Sequence, residues 1–84
     1  MKLNFYAVKD LMTERFMNPA LSQDDNVATR QFRSNINHIP LWQDNPADFD
    51  LWNLGSFNDE TGEIVYEPKK VINGRSCLNA KIQD

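Results

Sequence analysis

Cysteine and histidine are each present once in this chain, and glycine three times, which removes several ways a small protein could work. The chain has 84 residues, and Cys77 is its only cysteine, so no disulfide forms within one chain. A lone thiol without a pairing framework points to a reducing, cytoplasmic setting. Cys77 and His38 together supply at most two of the four soft ligands of a structural zinc. The glycines Gly55, Gly62 and Gly74 are scattered and form no phosphate-cradling loop. Long apolar runs are missing too. The stretch Phe5 to Val8 reaches four residues, against roughly 20 needed to span a bilayer. The segment Met1 to Tyr6 lacks the apolar core of a signal peptide. No membrane, metal or cofactor is expected. A chain this short buries only about 60–65% of its unfolded surface. Self-association into a homo-oligomer is therefore the expected extra support.

The net charge of −3 hides an asymmetry. Residues 41–67 carry seven acids (Asp44, Asp48, Asp50, Asp59, Glu60, Glu63, Glu67) and no base. Residues 68–84 carry Lys69, Lys70, Arg75 and Lys81 against Asp84. A protein that coats nucleic acid nonspecifically would carry a net basic field, and this chain does not. Its basic end can still meet phosphates locally.

Lys2 to Lys9 reads as a strand with Leu3, Phe5 and Ala7 on one face and Asn4, Tyr6 and Val8 on the other. Apolar and aromatic residues on both faces predict a central strand. Residues 10–21 show no period, and Asn18-Pro19 breaks any helix, so a connecting loop is expected, with a short extended piece at Phe16-Met17. Ser22-Gln23-Asp24-Asp25 then has the form of a capping box, with Ser22 as the cap. The stripe Ala28, Phe32, Ile36 predicts a helix from about Gln23 to Asn37, ending before Pro40. Pro40 to Ala47 reads as a loop, and Asn45 to Asp48 as a single turn. Phe49 to Phe57 alternates as a strand, with Phe49, Leu51, Asn53, Gly55 and Phe57 on one side. Asn58-Asp59-Glu60-Thr61-Gly62 is a hairpin loop, and Glu63 to Glu67 returns until Pro68 ends its pairing. The expected fold is α+β, a three-stranded, mostly antiparallel sheet in the order strand–helix–strand–strand, with the helix on one face. Residues 1–68 form the single domain. Residues 69–84 form a basic C-terminal extension, either mobile or adding a short strand.

No group of residues has the spacing of a catalytic site. His38 follows the helix without a nucleophile placed beside it, and the oxygen-rich loop at 58–63 lacks EF-hand spacing. No enzyme activity is expected. Single-stranded nucleic acid is the more informative possibility, since proteins that bind it combine basic groups with aromatic platforms. Tyr6 and Phe5, Trp52 and Tyr66 are expected to put rings on one exposed sheet face, with Lys69, Lys70 and Arg75 following the last strand and Arg30 and Arg33 on the helix. The competing reading makes these rings the core of a small domain, or a dimer interface, and Asp50 beside them opposes DNA. Trp42 and Trp52 are the expected anchors for a protein partner.

The run Asp48-Phe49-Asp50-Leu51-Trp52-Asn53-Leu54-Gly55-Ser56-Phe57, followed by the hairpin through Thr61-Gly62 to Ile64, resembles the hallmark stretch of the small nonstructural protein of gokushoviruses, single-stranded DNA phages of the Microviridae. The helix piece Ala28-Thr29-Arg30-Gln31-Phe32 is similar to that family's helix core. Trp52 stands where the pattern often has tyrosine, and Asn58 where it often has aspartate. The resemblance covers about residues 3–66. It implies a phage product outside the capsid, in the cytoplasm of a bacterial host, that acts around single-stranded genome replication or packaging. Its partners would be single-stranded DNA or a phage or host replication or packaging protein. The alternative is a module that binds a host factor and leaves DNA alone. The family brings no catalytic residues to carry over.

Overall fold

A computed structural model describes residues 1–78. Strand β1 (Lys2–Asp10) is followed by two short strands, β2 (Arg15–Phe16) and β3 (Ala20–Ser22), and by helix α1 (Asp25–His38). A short helix α2 (Pro40–Asp44) and a 3-10 turn at Pro46–Asp48 lead into β4 (Phe49–Asn58), which turns back into β5 (Ile64–Asn73). A second 3-10 turn, Gly74–Cys77, follows. The three-stranded sheet expected from sequence is therefore corrected to five antiparallel strands, three of them before the helix. The order is β2-β1-β4-β5, with β3 also paired to β1, so β1 is central. β2 and β3 are two and three residues long. Such strands are too short to show a period, and they fold within the stretch expected to be a loop.

β5 continues through Pro68 to Asn73, beyond the expected end of pairing. As the outermost strand of the sheet it can hold a proline whose missing N–H removes no ladder bond on that edge. Around Pro68 the register steps from Gly55↔Tyr66 to Asn53↔Lys69, so two residues of β4 span three of β5. Residue 68, the expected domain boundary, thus falls inside a strand. Lys81 and the rest of 79–84 lie outside the described residues.

The helix is capped by Asp24, not Ser22. The Asp24 carboxylate accepts from the Val27 N–H at 2.9 Å, while Ser22 is paired with Asn4 in β3. One aspartate on an extended backbone satisfies the orphan donor of the first turn. Ala28, Phe32 and Ile36 face the sheet as expected and are buried against Tyr6, Phe49, Leu51 and Cys77. Burying rings and branched chains of this size contributes about 1.5–3 kcal/mol each. Trp42, on α2, closes the end of this core. Its ring stacks on Phe49 at 4.8 Å and tilts against Phe32 at 6.3 Å.

Candidate nucleic-acid interface

Alternation along β1 sends Tyr6 and Val8 toward the helix, and Leu3, Phe5, Ala7 and Lys9 to the opposite face. β4 begins the same way, with Phe49, Leu51 and Asn53 toward the helix and Asp50 and Trp52 away. The register with β1 then shifts from Tyr6↔Asn53 to Phe5↔Gly55, which leaves Leu54 as an extra residue. Beyond this bulge Gly55 and Phe57 face away from the helix, and the uniform alternation expected for residues 49–57 is broken. Gly55 sits at φ 139°, backbone that glycine alone adopts readily.

The face away from the helix is consequently built of cross-strand rows. Leu3, Phe57 and Ile64 form one; Phe5, Gly55 and Tyr66 the next; Ala7, Trp52 and Lys70 the third; Lys9, Asp50 and Asn73 the last. Phe16 lies beside Lys9 on β2. Phe5 and Phe57 meet at 6.0 Å, and Phe16 stands edge-on to Trp52 at 5.9 Å. The Lys9 ammonium lies 5.5 Å from the centre of the Phe16 ring, within reach of a cation–π attraction. Ile64 and Tyr66 are 61% and 73% exposed, so nothing among the described residues covers this end of the face. An antiparallel sheet with one free face ordinarily puts polar residues there; this one puts rings.

The structure separates the residues that sequence reasoning grouped together. Trp52, Tyr66 and Lys70 share the open face. Tyr6 does not: it is 5% exposed on the helix side, where its hydroxyl donates to Asp25 at 2.6 Å. Asn53 donates to the same carboxylate at 3.1 Å, and the Lys69 ammonium lies 3.7 Å from it. The Tyr6 bond, with help from Asn53 and Lys69 and against the cost of burial, holds Asp25 below the usual carboxylate range. Burial and the Asp25 partner push the Tyr6 phenol above its ordinary value. Lys69 thus serves this cluster and points away from the rings. Arg30 and Arg33 line a shallow groove on the outer side of α1 with Ser34 and His38, remote from the open face. Arg75 is exposed in the last 3-10 turn. Trp42 is turned into the core. Asp50, the acid expected to oppose DNA, is 6% exposed and accepts from the Asn73 amide at 2.7 Å.

Phe16, Phe57 and Lys9 are members of the face that sequence reasoning does not single out. Period-2 alternation of β1 places Phe5 and Lys9 on one side, but Phe57 joins them only through the bulge, and Phe16 only through the pairing of β2. Among the described residues no group of three or more His, Cys, Asp or Glu could hold a metal, and no helix is long and apolar enough to cross a membrane.

These features define a small α+β domain that offers one aromatic sheet face for contact. The chain matches the family described as Phage ORF5 protein over residues 3–77 and belongs to it. It is thus a member of a phage protein family. No curated protein and no solved structure matches it.

Proposed function

We propose that this chain is a nonenzymatic accessory protein of a gokushovirus-type phage, and that it contacts the single-stranded genome in the bacterial cytoplasm during replication or packaging. The observation that carries the reading is the sheet face away from the helix, where Phe5, Trp52, Phe57 and Tyr66 are interspersed with Lys9 and Lys70. Bases stack on such rings with about 1–3 kcal/mol each and little regard for sequence. Lys9 and Lys70 make no ion pair among the described residues, which leaves two ammonium groups for phosphates. Membership in a phage family makes a phage genome the natural ligand.

Anisotropy of a labelled oligothymidylate, titrated with protein at several salt concentrations, tests this. Two phosphate contacts give a slope of log affinity on log salt of about −1.4. Lys9→Glu and Lys70→Glu should weaken binding and flatten that slope, while Arg30→Glu, on the far side of the helix, should leave both unchanged. Absence of binding at low salt sinks the reading. A second reading, a module for a protein partner, draws on the hairpin end, where Ile64, Val65 and Tyr66 are exposed between the acids Asp59, Glu60, Glu63 and Glu67. Light scattering that gives a multiple of the chain mass, with no DNA binding, would favour it.

A further inference from the structure

We infer that Trp52 is the principal base-stacking residue of the open face, and that Phe16 occupies its place until an unpaired nucleotide displaces it. The inference rests on the DNA reading above and names the site within it. It starts from an orphan: the Trp52 indole N–H is buried and has no hydrogen-bond partner among the described residues. A buried donor without an acceptor is costly and rare enough in folded proteins to need a reason. The indole lies between Ala7 and Lys70 in its cross-strand row, with the Phe16 ring 5.9 Å away and nearly perpendicular to it.

Phe16 is weakly held. It belongs to a strand of two residues, whose pairing with β1 consists of Lys9↔Phe16 and Asp10↔Arg15. The turn before it holds Glu14 at φ 60°, a left-handed conformation disfavoured for any residue but glycine. Residues 11–20 are exposed throughout, and Phe16 itself is 45% exposed. A segment with so few buried contacts opens at small cost. When Phe16 swings out, an aromatic plane and an unsatisfied N–H become available together, with Lys70 beside Trp52 and Lys9 released from the Phe16 ring. A nucleotide offers what that set lacks: a flat base for the indole, an oxygen acceptor on base or phosphate for the N–H, and negative charge for the lysines.

The test measures oligothymidylate binding by the full chain and four variants, each checked by far-ultraviolet circular dichroism. Trp52→Ala should bind about 10- to 100-fold more weakly. Phe16→Ala should bind about 3- to 10-fold more tightly, because a site covered most of the time binds with only its uncovered fraction. Phe16→Leu, a milder change should the alanine variant not fold, should shift affinity in the same direction. In Trp42→Phe the only tryptophan left is Trp52, and DNA should quench its emission. Wild-type protein that binds DNA while Trp52→Ala stays within about twofold of it overturns the inference and leaves the DNA reading standing. So does a Phe16→Ala or Phe16→Leu variant that binds more weakly than wild type, since Phe16 would then be a platform of its own. Wild-type protein that fails to bind at low salt removes both.

Discussion

Replacing Tyr6 with phenylalanine removes one oxygen from the helix side of the sheet and leaves the ring in place. The lost bond is the 2.6 Å donation from the Tyr6 hydroxyl to the Asp25 carboxylate. A hydrogen bond to a charged group is worth about 1.5–3 kcal/mol. Asp25 is 39% exposed, however, and keeps Asn53 and Lys69 as partners, so water and neighbours recover part of the loss. About 1–1.5 kcal/mol is the expected cost at neutral pH. With a urea dependence near 1 kcal/mol per molar for a chain this size, the midpoint of unfolding should fall by about 1–1.5 M, read by tryptophan emission. The pH dependence identifies the cause. Asp25 titrates lower in the folded chain than in the unfolded one, so its contribution is complete above the unfolded value and is lost as pH falls through the folded one. The gap between wild type and Tyr6→Phe should therefore narrow as pH drops below about 4. Tyr6 is shifted upward, so the wild type also loses stability as pH climbs past 10.0, and the variant lacks that loss. A gap that stays constant from pH 7 to about pH 2, or a midpoint unchanged at pH 7, would falsify the account.

Other positions give sharper contrasts. Gly55→Ala should cost about 3 kcal/mol or more in the same urea assay, because a Cβ at φ 139° would collide with the Val65 carbonyl oxygen. Gly62→Ala, at φ 79° with nothing within 4 Å, should cost only about 1–2 kcal/mol; equal losses at the two glycines would contradict the close approach of β4 to β5. Cys77 is 1% exposed, and burial pushes its thiol upward against the pull of Arg33. Ellman's reagent should modify it slowly in the native protein and quickly in concentrated urea, and identical rates would place the thiol at the surface. Asp24→Ala removes the helix cap and should lower stability by about 1 kcal/mol; no change in midpoint would return the cap to Ser22.

Local rules read correctly for the helix stripe and the hairpin loop, while the capping box at Ser22 gave way to Asp24. The stripe Ala28, Phe32, Ile36 needs only the helical period, and those three residues are buried. Asn58 to Gly62 needs only turn chemistry: Asn58 accepts from the Glu60 N–H, and Gly62 takes up a positive φ. Sequence reasoning failed where the deciding partner is distant along the chain. Tyr6 belongs to the core side, where Asp25, nineteen residues away, accepts a hydrogen bond from its hydroxyl, and nothing in residues 2–10 signals that. Lys69 was grouped with Lys70 as tail charge, yet strand geometry sends them to opposite faces, one to Asp25 and the other beside Trp52. Pro68 looked like the end of a strand because its missing N–H rules out a central position; on the free edge of β5 that rule does not apply.

The bulge at Leu54 explains why one short hairpin serves two surfaces. Up to Asn53, β4 supplies Phe49 and Leu51 to the core beneath α1, and Asn53 to the Asp25 cluster. With Leu54 paired in register instead, the same alternation would carry Gly55 and Phe57 to the helix side, Gly55 beside Asn4 and beyond the first turn of α1, where no helix covers them. Phe57 would then be parted from Phe5, whose ring it now meets at 6.0 Å. The bulge leaves Leu54 unpaired and keeps Phe57 on the open face, next to Leu3 and Ile64, and Gly55 at φ 139° absorbs the backbone turn this requires. Asn53 braces the bend, its side-chain oxygen accepting from the Gly55 N–H at 2.9 Å while its amide holds Asp25. Core, capped helix start and open aromatic face therefore meet at Asn53 and Gly55, on either side of Leu54. A change at Gly55 should disturb the stability of the first and the ligand contacts of the last together.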